Sequence, residues 1–301
     1  LIKRTSETDY YGWQLYDIMR GMPVGSSDAY LRANLSSAEL SYDDVDPTAT
    51  GMVIKSGSGG ANASGATYIY IAIRRPMKTP ESGTEVFDVT LTENASEPYV
   101  SSPFSVDTGI AGYRSGGGFY WGDRIRGANE LTPSSTAAEA GGSIWQWDYQ
   151  DGWLGSASGA NLFYSFKRAT GFFDVVCYEG VASSGNGFLP QDVDHNLVAV
   201  PEMMIVKCRS TGGTTTYRWH VYHKDVGNTQ ALFLNESSVA GTGSAYWNNT
   251  TPTDSVFSVG GGYGVNEASQ SYIAYLFATL DGVSKVGSYT GTGSNVDVDC
   301  G

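Results

Sequence analysis

Glu139, Asp148 and Asp151 stand close in the chain to Trp145, Trp147 and Trp153. Glycoside hydrolysis needs two carboxylates facing each other across a cleft, roughly 5 to 10 Å apart, and indole faces stack on sugar rings, so a polysaccharide depolymerase would work from such a cluster. Other copies of the surrounding pattern, described below, lack this set of acids. Repeated modules whose acids are not repeated point to scaffolding or binding rather than to an enzyme, and no catalytic residue is assigned. Trp145, Trp147 and Trp153, with Trp247 farther on, lie among Ser, Gly, Asn and Asp in the variable part of each copy, where a rigid sheet would carry ligand-binding loops. The same indoles equally suit structural contacts with a neighbouring copy or chain. No Gly-x-Ser-x-Gly elbow or phosphate loop is present.

A metal site finds little support. His220 and His223 are three apart in Trp219-His220-Val221-Tyr222-His223, which alternates like a strand, so they leave opposite faces and cannot share one ion. His195, beside Asn196, reads as a loop residue bonded to backbone. Asp43-Asp44-Val45-Asp46 and Gln191-Asp192-Val193-Asp194 each gather oxygens suited to calcium, but neither has the helix-loop-helix calcium spacing, and solvated turn acids are the plainer reading. No metal or cofactor is assigned. Three cysteines are too few for a disulfide framework, and Cys177 and Cys208 sit in apolar runs as small buried hydrophobes.

The elements that would position these residues are strands. The 301 residues include 39 Gly, 20 Tyr and 7 Trp with only 16% charged residues, the composition of a turn-rich all-β protein. A net charge of −13 opposes binding to nucleic acid or anionic membranes, and no apolar run approaches the ~20 residues of a membrane span. Thr67 to Arg74 and Gln270 to Phe277 read as central strands. Met203 to Lys207 is apolar nearly throughout, as a strand covered on both sides would be, and it forms a hairpin through Ser210 to Thr214 with Trp219 to His223, a strand with one wet face. Ser36 to Glu39 and Ser134 to Ala140 justify a single helical turn at most.

The pattern recurs. Lys3-Arg4-Thr5-Ser6, Gly112-Tyr113-Arg114-Ser115 and Lys207-Cys208-Arg209-Ser210 each follow an apolar run and precede a segment holding Trp13, Trp121 or Trp219, while Arg20-Gly21 returns as Arg126-Gly127 and the Glu39 segment as that of Glu139. Ser6, Ser115 and Ser210 lie 109 and 95 residues apart, so the unit is a domain rather than a solenoid turn. The division expected is 1–76, a first repeat lacking its opening strand; 77–103, a connector with the opening strand of the second; 104–170, the second repeat; 171–282, the third; and 283–301, the start of another. The chain reads as a piece of a longer polypeptide built of antiparallel β-sandwiches. Units of about 100 residues with this aromatic load leave apolar area for neighbours to cover, so a homo-oligomer or filament is expected.

Ile125-Arg126-Gly127-Ala128-Asn129 with Ser134 to Glu139, then Gly171 to Tyr178, His195-Asn196-Leu197 with Val200 to Lys207, Tyr246 to Thr253 and Lys285 to Gly291 resemble a tandem repeat of large structural proteins in marine tailed bacteriophages, cyanophages among them. The resemblance covers nearly the whole chain outside residues 77–100. It implies a jelly-roll, lectin- or laminin-G-like sandwich at the virion surface, in a tail fibre or related appendage, with copies of itself and other virion proteins as partners and host attachment as its task. The alternatives are a lectin-like module of an extracellular adhesin that binds a host-surface glycan and, behind it, a depolymerase.

Overall fold

The computed structural model describes residues 1–6, 12–55, 60–74, 77–91, 97–114, 116–141, 145–154, 162–182, 189–212 and 217–300. Pro76, Ser115, Gly155 to Ala157 and the turn residues Gly213 and Thr214, all used in the repeat and hairpin readings, lie outside them. The first copy supplies β1 (Ile2–Arg4), β2 (Trp13–Tyr16), β3 (Asp28–Arg32), β4 (Leu40–Tyr42), β5 (Val45–Pro47), β6 (Met52–Ile54) and β7 (Tyr68–Tyr70). The second supplies β8 (Phe87–Thr90), β9 (Val100–Ser101), β10 (Thr108–Gly112), β11 (Phe119–Asp123), β12 (Asn129–Leu131), β13 (Ala140–Gly141), β14 (Gly152–Trp153) and β15 (Leu162–Phe166). The third supplies β16 (Phe173–Glu179), β17 (Gln191–Asp194), β18 (Met203–Cys208), β19 (His220–His223), β20 (Gln230–Phe233), β21 (Gly241–Thr242), β22 (Val256–Val259) and β23 (Ser271–Phe277), with one-turn helices α1 (Ser244–Trp247) and α2 (Tyr263–Asn266).

One strand order serves all three copies, and every pairing within it is antiparallel. It runs β8-β15-β10-β11-β12-β13 in the second, β16-β23-β18-β19-β20-β21 in the third and β7-β1-β2-β3-β4 in the first. A two-stranded ribbon (β5–β6, β9–β14 or β17–β22) covers one face of each large sheet, and a separate apolar core fills each of these three gaps. The fold is an all-β sandwich. In the third copy the eight strands divide six and two between the layers.

The core under the second ribbon rests on two glycines. Gly109 of β10 and Gly122 of β11 are register partners, and a Cβ on them would lie 2.8 Å from the Trp153 ring and 2.3 Å from that of Trp145. Without side chains they form a floor on which the indoles lie flat. Trp145, Trp147 and Trp153 then stack nearly parallel, with centroids 5.1 to 5.7 Å apart. Gln146, between two of the stacked rings, forms a bridge with Leu154 that holds the segment straight.

Several expectations change at this level. β23 is central, between β16 and β18, but β7 stands at an edge, with no strand on its outer side among the described residues. The hairpin of β18 and β19 forms in the register Ile205↔Val221. Its second strand has no wet face, because His220 and Tyr222 face the ribbon side and Val221 faces the second copy's sheet. The segments at Ser36 to Glu39 and Ser134 to Glu139 contain no helical turn. Phe87 to Thr90, where the opening strand of the second repeat is expected within 77–103, pairs with β15 at the edge of the second copy's sheet. Among the described residues no helix is long and apolar enough to cross a membrane.

Gly122→Ala forces a methyl into the Trp145 ring, and overpacking of this kind costs roughly 1 to 3 kcal/mol. Urea denaturation should show a loss of about 2 kcal/mol for Gly122→Ala and little change for Gly287→Ala, where a Cβ meets open space.

Candidate functional site: the joint between copies

The faces of the second and third sheets turned away from their ribbons pack on each other. Their shared core holds Leu131 of the second copy with Val175, Ile205, Trp219, Val221, Ile273 and Tyr275 of the third. Trp121 meets Trp219 edge-on at 5.3 Å and Tyr275 at 4.9 Å, while Phe166 lies 5.4 Å from Phe173. Offset and edge-on ring pairs of this sort add to plain area burial. The fit leaves an apolar gap of about 170 Å³, lined by Thr108, Ile110, Trp121, Phe166, Phe173, Tyr275 and Phe277, and the buried Thr108 hydroxyl has no hydrogen-bond partner among the described residues.

A buried ionic set closes the rim. Arg209 of the third copy grips Glu139 of the second with two nitrogens, Nε to Oε2 at 3.0 Å and Nη2 to Oε1 at 2.9 Å, and the Glu139 backbone N–H donates to Arg209 O at 2.8 Å. The Nη1 of Arg209 reaches the first copy and donates to Val24 O at 3.0 Å, and Nη2 also donates there, to Ser26 Oγ at 3.3 Å. One guanidinium therefore touches all three copies. Burial raises the Glu139 pKa, but Arg209 and Arg126 outweigh it and hold the carboxyl below its ordinary value. Arg126 donates to Asp123 at 2.6 Å and to the Tyr275 hydroxyl at 3.1 Å, and that hydroxyl donates to Asp123 at 3.0 Å.

The same carboxylate–guanidinium–carboxylate arrangement occurs in the first copy, where Arg20 pairs with Asp17 at 2.6 Å and Glu39 at 3.1 Å. In both copies the Asp also accepts the backbone N–H three residues on, which shapes the turn before the Arg-Gly pair. The two Arg-Gly turns lie against each other. Gly21 and Gly127 have positive φ of 91° and 61°, and a Cβ on either would come within 3.0 Å of the other turn's backbone. The recurrence of Arg20-Gly21, Arg126-Gly127, Glu39 and Glu139 was the signal for this set, although Asp17, Asp123 and Arg209 were missed as members of it.

The residues proposed for ligand binding lie elsewhere. Trp145, Trp147, Trp153 and Trp247 are only 3%, 1%, 0% and 0% exposed. Their indole nitrogens donate to Glu130, Gly127 O, Ser165 Oγ and Gln230 O. No ring face remains for a sugar, because loops with these large apolar surfaces fold into the core they flank. Of the acids, Glu139 belongs to the joint, whereas Asp148 and Asp151 are exposed beside the tryptophan stack. A carboxyl held ionised by two guanidiniums is not poised as a general acid.

The remaining titratable candidates have structural partners. His220 is buried and its Nδ1 donates to Arg218 O, while the half-buried His223 accepts the Asp225 backbone N–H on its Nδ1 at 3.2 Å. Asp46 pairs with Lys55 at 2.8 Å, Asp44 accepts from the Tyr16 hydroxyl at 3.2 Å and Asp192 accepts from Ser258. Among the described residues no three His, Cys, Asp or Glu side chains gather to hold a metal. Cys177 and Cys208 are buried and free, and burial pushes the Cys177 thiol up to about 12. A partly open cavity of about 310 Å³ lies in the third copy, lined by Arg218, His220, Phe233, Tyr246 and Tyr263 among others.

Removing one partner of a buried pair leaves the other charge stranded, at a cost of about 3 to 5 kcal/mol. Arg209→Ala should therefore lower stability by that amount in urea denaturation, far more than Lys78→Ala at the exposed Lys78–Glu81 pair. Burial also lowers the His220 pKa from 6.5 to about 4. The unfolded chain then takes up a proton that the fold refuses, so the stability tied to neutral His220 is complete above pH 6.5 and is lost as pH falls toward 4, by about 3 kcal/mol at most. His220→Asn, which keeps an N–H donor, should flatten the stability profile between pH 6.5 and 4.

No curated protein and no solved structure matches the chain. Residues 1–76 and 117–300 match one protein family, and by that extent the chain belongs to DUF7483, a domain of unknown function.

Proposed function

We propose that the chain is a structural and interaction protein, a repeated β-sandwich of a phage tail fibre or similar virion appendage, working at the particle surface and contributing to host attachment. The observation that carries this reading is the joint. The second and third copies bury corresponding faces, with Trp121, Trp219 and Tyr275 among them, against each other and lock the rim with Arg209. The acidic charge, which opposes nucleic-acid binding, and the resemblance to repeats of phage structural proteins point the same way. Its partners on this reading are copies of itself and other virion proteins. Immunogold electron microscopy and mass spectrometry of purified particles should place the chain on the virion at stoichiometric abundance. Its presence only in the host-cell lysate would end the proposal.

The cavity of the third copy favours a second role compatible with the first, recognition of a host-surface glycan. Arg218 sits 4.7 Å over the Phe233 ring, and Tyr246 and Tyr263 also line the opening, which gives a sugar apolar faces beside polar groups. On a glycan array Tyr263→Ala should lose at least ten-fold in binding relative to the parent chain. Equal binding by both, or none by the parent, removes this role and leaves the structural one standing.

A further inference from the structure

The register of the three hairpins places equivalent residues on one face of each large sheet. Leu15, Trp121 and Val221 occupy one position, because Ile2 pairs with Gln14, Ile110 with Trp121 and Ile205 with Val221. Trp13 and Trp219 stand two residues earlier, where the second copy has Phe119. Across the next strand Leu31, Leu131 and Leu232 correspond, and on the other side Ile69, Leu162 and Ile273 do. In the joint, Trp219, Leu131 and Ile273 are buried. In the first copy Trp13, Leu15, Leu31, Ile69 and Ile71 are 36%, 39%, 39%, 50% and 56% exposed.

We infer that this uncovered face of the first copy, β7-β1-β2-β3, is a docking surface for the same face of a second copy of the chain. The occupant is argued from the molecule itself, which already packs two corresponding sheet faces of this repeat against each other. A face built on the same positions is a candidate for the self-complementary contact of a two-fold dimer. The rim agrees. Asp17, Arg20 and Glu39 lie beside the open face with side chains 40%, 17% and 48% exposed, whereas the covering sheet has reduced Asp123, Arg126 and Glu139 to 1%, 0% and 14%. Lys3 takes the position of Lys207, which the joint accommodates by bonding its ammonium to Cys208 O at 2.6 Å. A contiguous patch of Trp, Leu and Ile is also what a protein surface rarely leaves in water.

The inference deepens the reading of the chain as an assembly protein, but its test reads self-association alone and so fails separately from any placement on a virion. Sedimentation of the chain across the micromolar range should show a monomer–dimer equilibrium that strengthens with added salt, because two chains of charge −13 repel while the contact is apolar. Trp13→Glu and Leu31→Glu should each raise the dimer Kd at least ten-fold with unchanged circular dichroism, while Val239→Glu, at an exposed position outside the face, should leave it unchanged. A parent chain that stays monomeric to high micromolar concentration overturns the inference. So does a dimer that survives both face substitutions in folded protein.

Discussion

The contact between Arg209 and Glu139 is the constraint on which the arrangement of the three copies depends. It is bidentate, wholly removed from water on the arginine side, and extended by the same guanidinium into the backbone of the first copy. A planar fork with five donors can do this where a lysine could not. Desolvating such a pair costs several kcal/mol, so its presence is better explained by specificity than by strength. The apolar faces supply attraction without fixing an angle, and two sheets can slide. A charge pair with backbone bonds to three segments selects one relative position, because any other leaves a buried ion without its partner.

The three copies have diverged around this constraint in different ways. The second has spent Trp145, Trp147 and Trp153 beneath the ribbon, on a floor made flat by Gly109 and Gly122, and its outer face with Trp121 on the third copy. The third fills the space beneath its own ribbon with Trp247, Tyr178, Tyr272 and Phe257. The first has a small core of Ile2, Met22 and Val45, and buried Gln14 amide atoms there have no hydrogen-bond partner among the described residues. Its neighbours hold it by loop contacts instead, with Met22 N–H donating to Ile125 O at 2.9 Å and Lys55 reaching Glu179 at 3.1 Å.

Much of this was legible in the residues, within limits that have physical causes. β-Branched and aromatic runs such as Gln270 to Phe277 and the Ser210 turn gave the strand and hairpin assignments because they are local. Whether a face is wet is not local, so Trp219 to His223 looked half-exposed until a second sheet was laid over Val221. Trp13, Trp121 and Trp219 align in sequence, yet Trp121 sits two residues farther along its strand than the others, since the hairpin loops differ in length and register is set by pairing. The four tryptophans proposed for ligand contact sit among small polar residues, and nothing in one sequence reveals that those residues are there to let rings stack tightly. The ionic set was visible as recurring letters, but its meaning needed Arg209, which lies 70 positions from Glu139 and is an Arg without counterpart in the first copy.

The apolar gap lined by Thr108, Ile110 and Phe166 lies between two sheets whose contact is otherwise close-packed. Empty volume inside a folded protein is lost when water fills it, so the separated state occupies less space than the joined one. Hydrostatic pressure therefore favours the separated state of the joint. The seam between copies is on this ground a pressure-sensitive layer of the molecule, responding to compression as well as to denaturant.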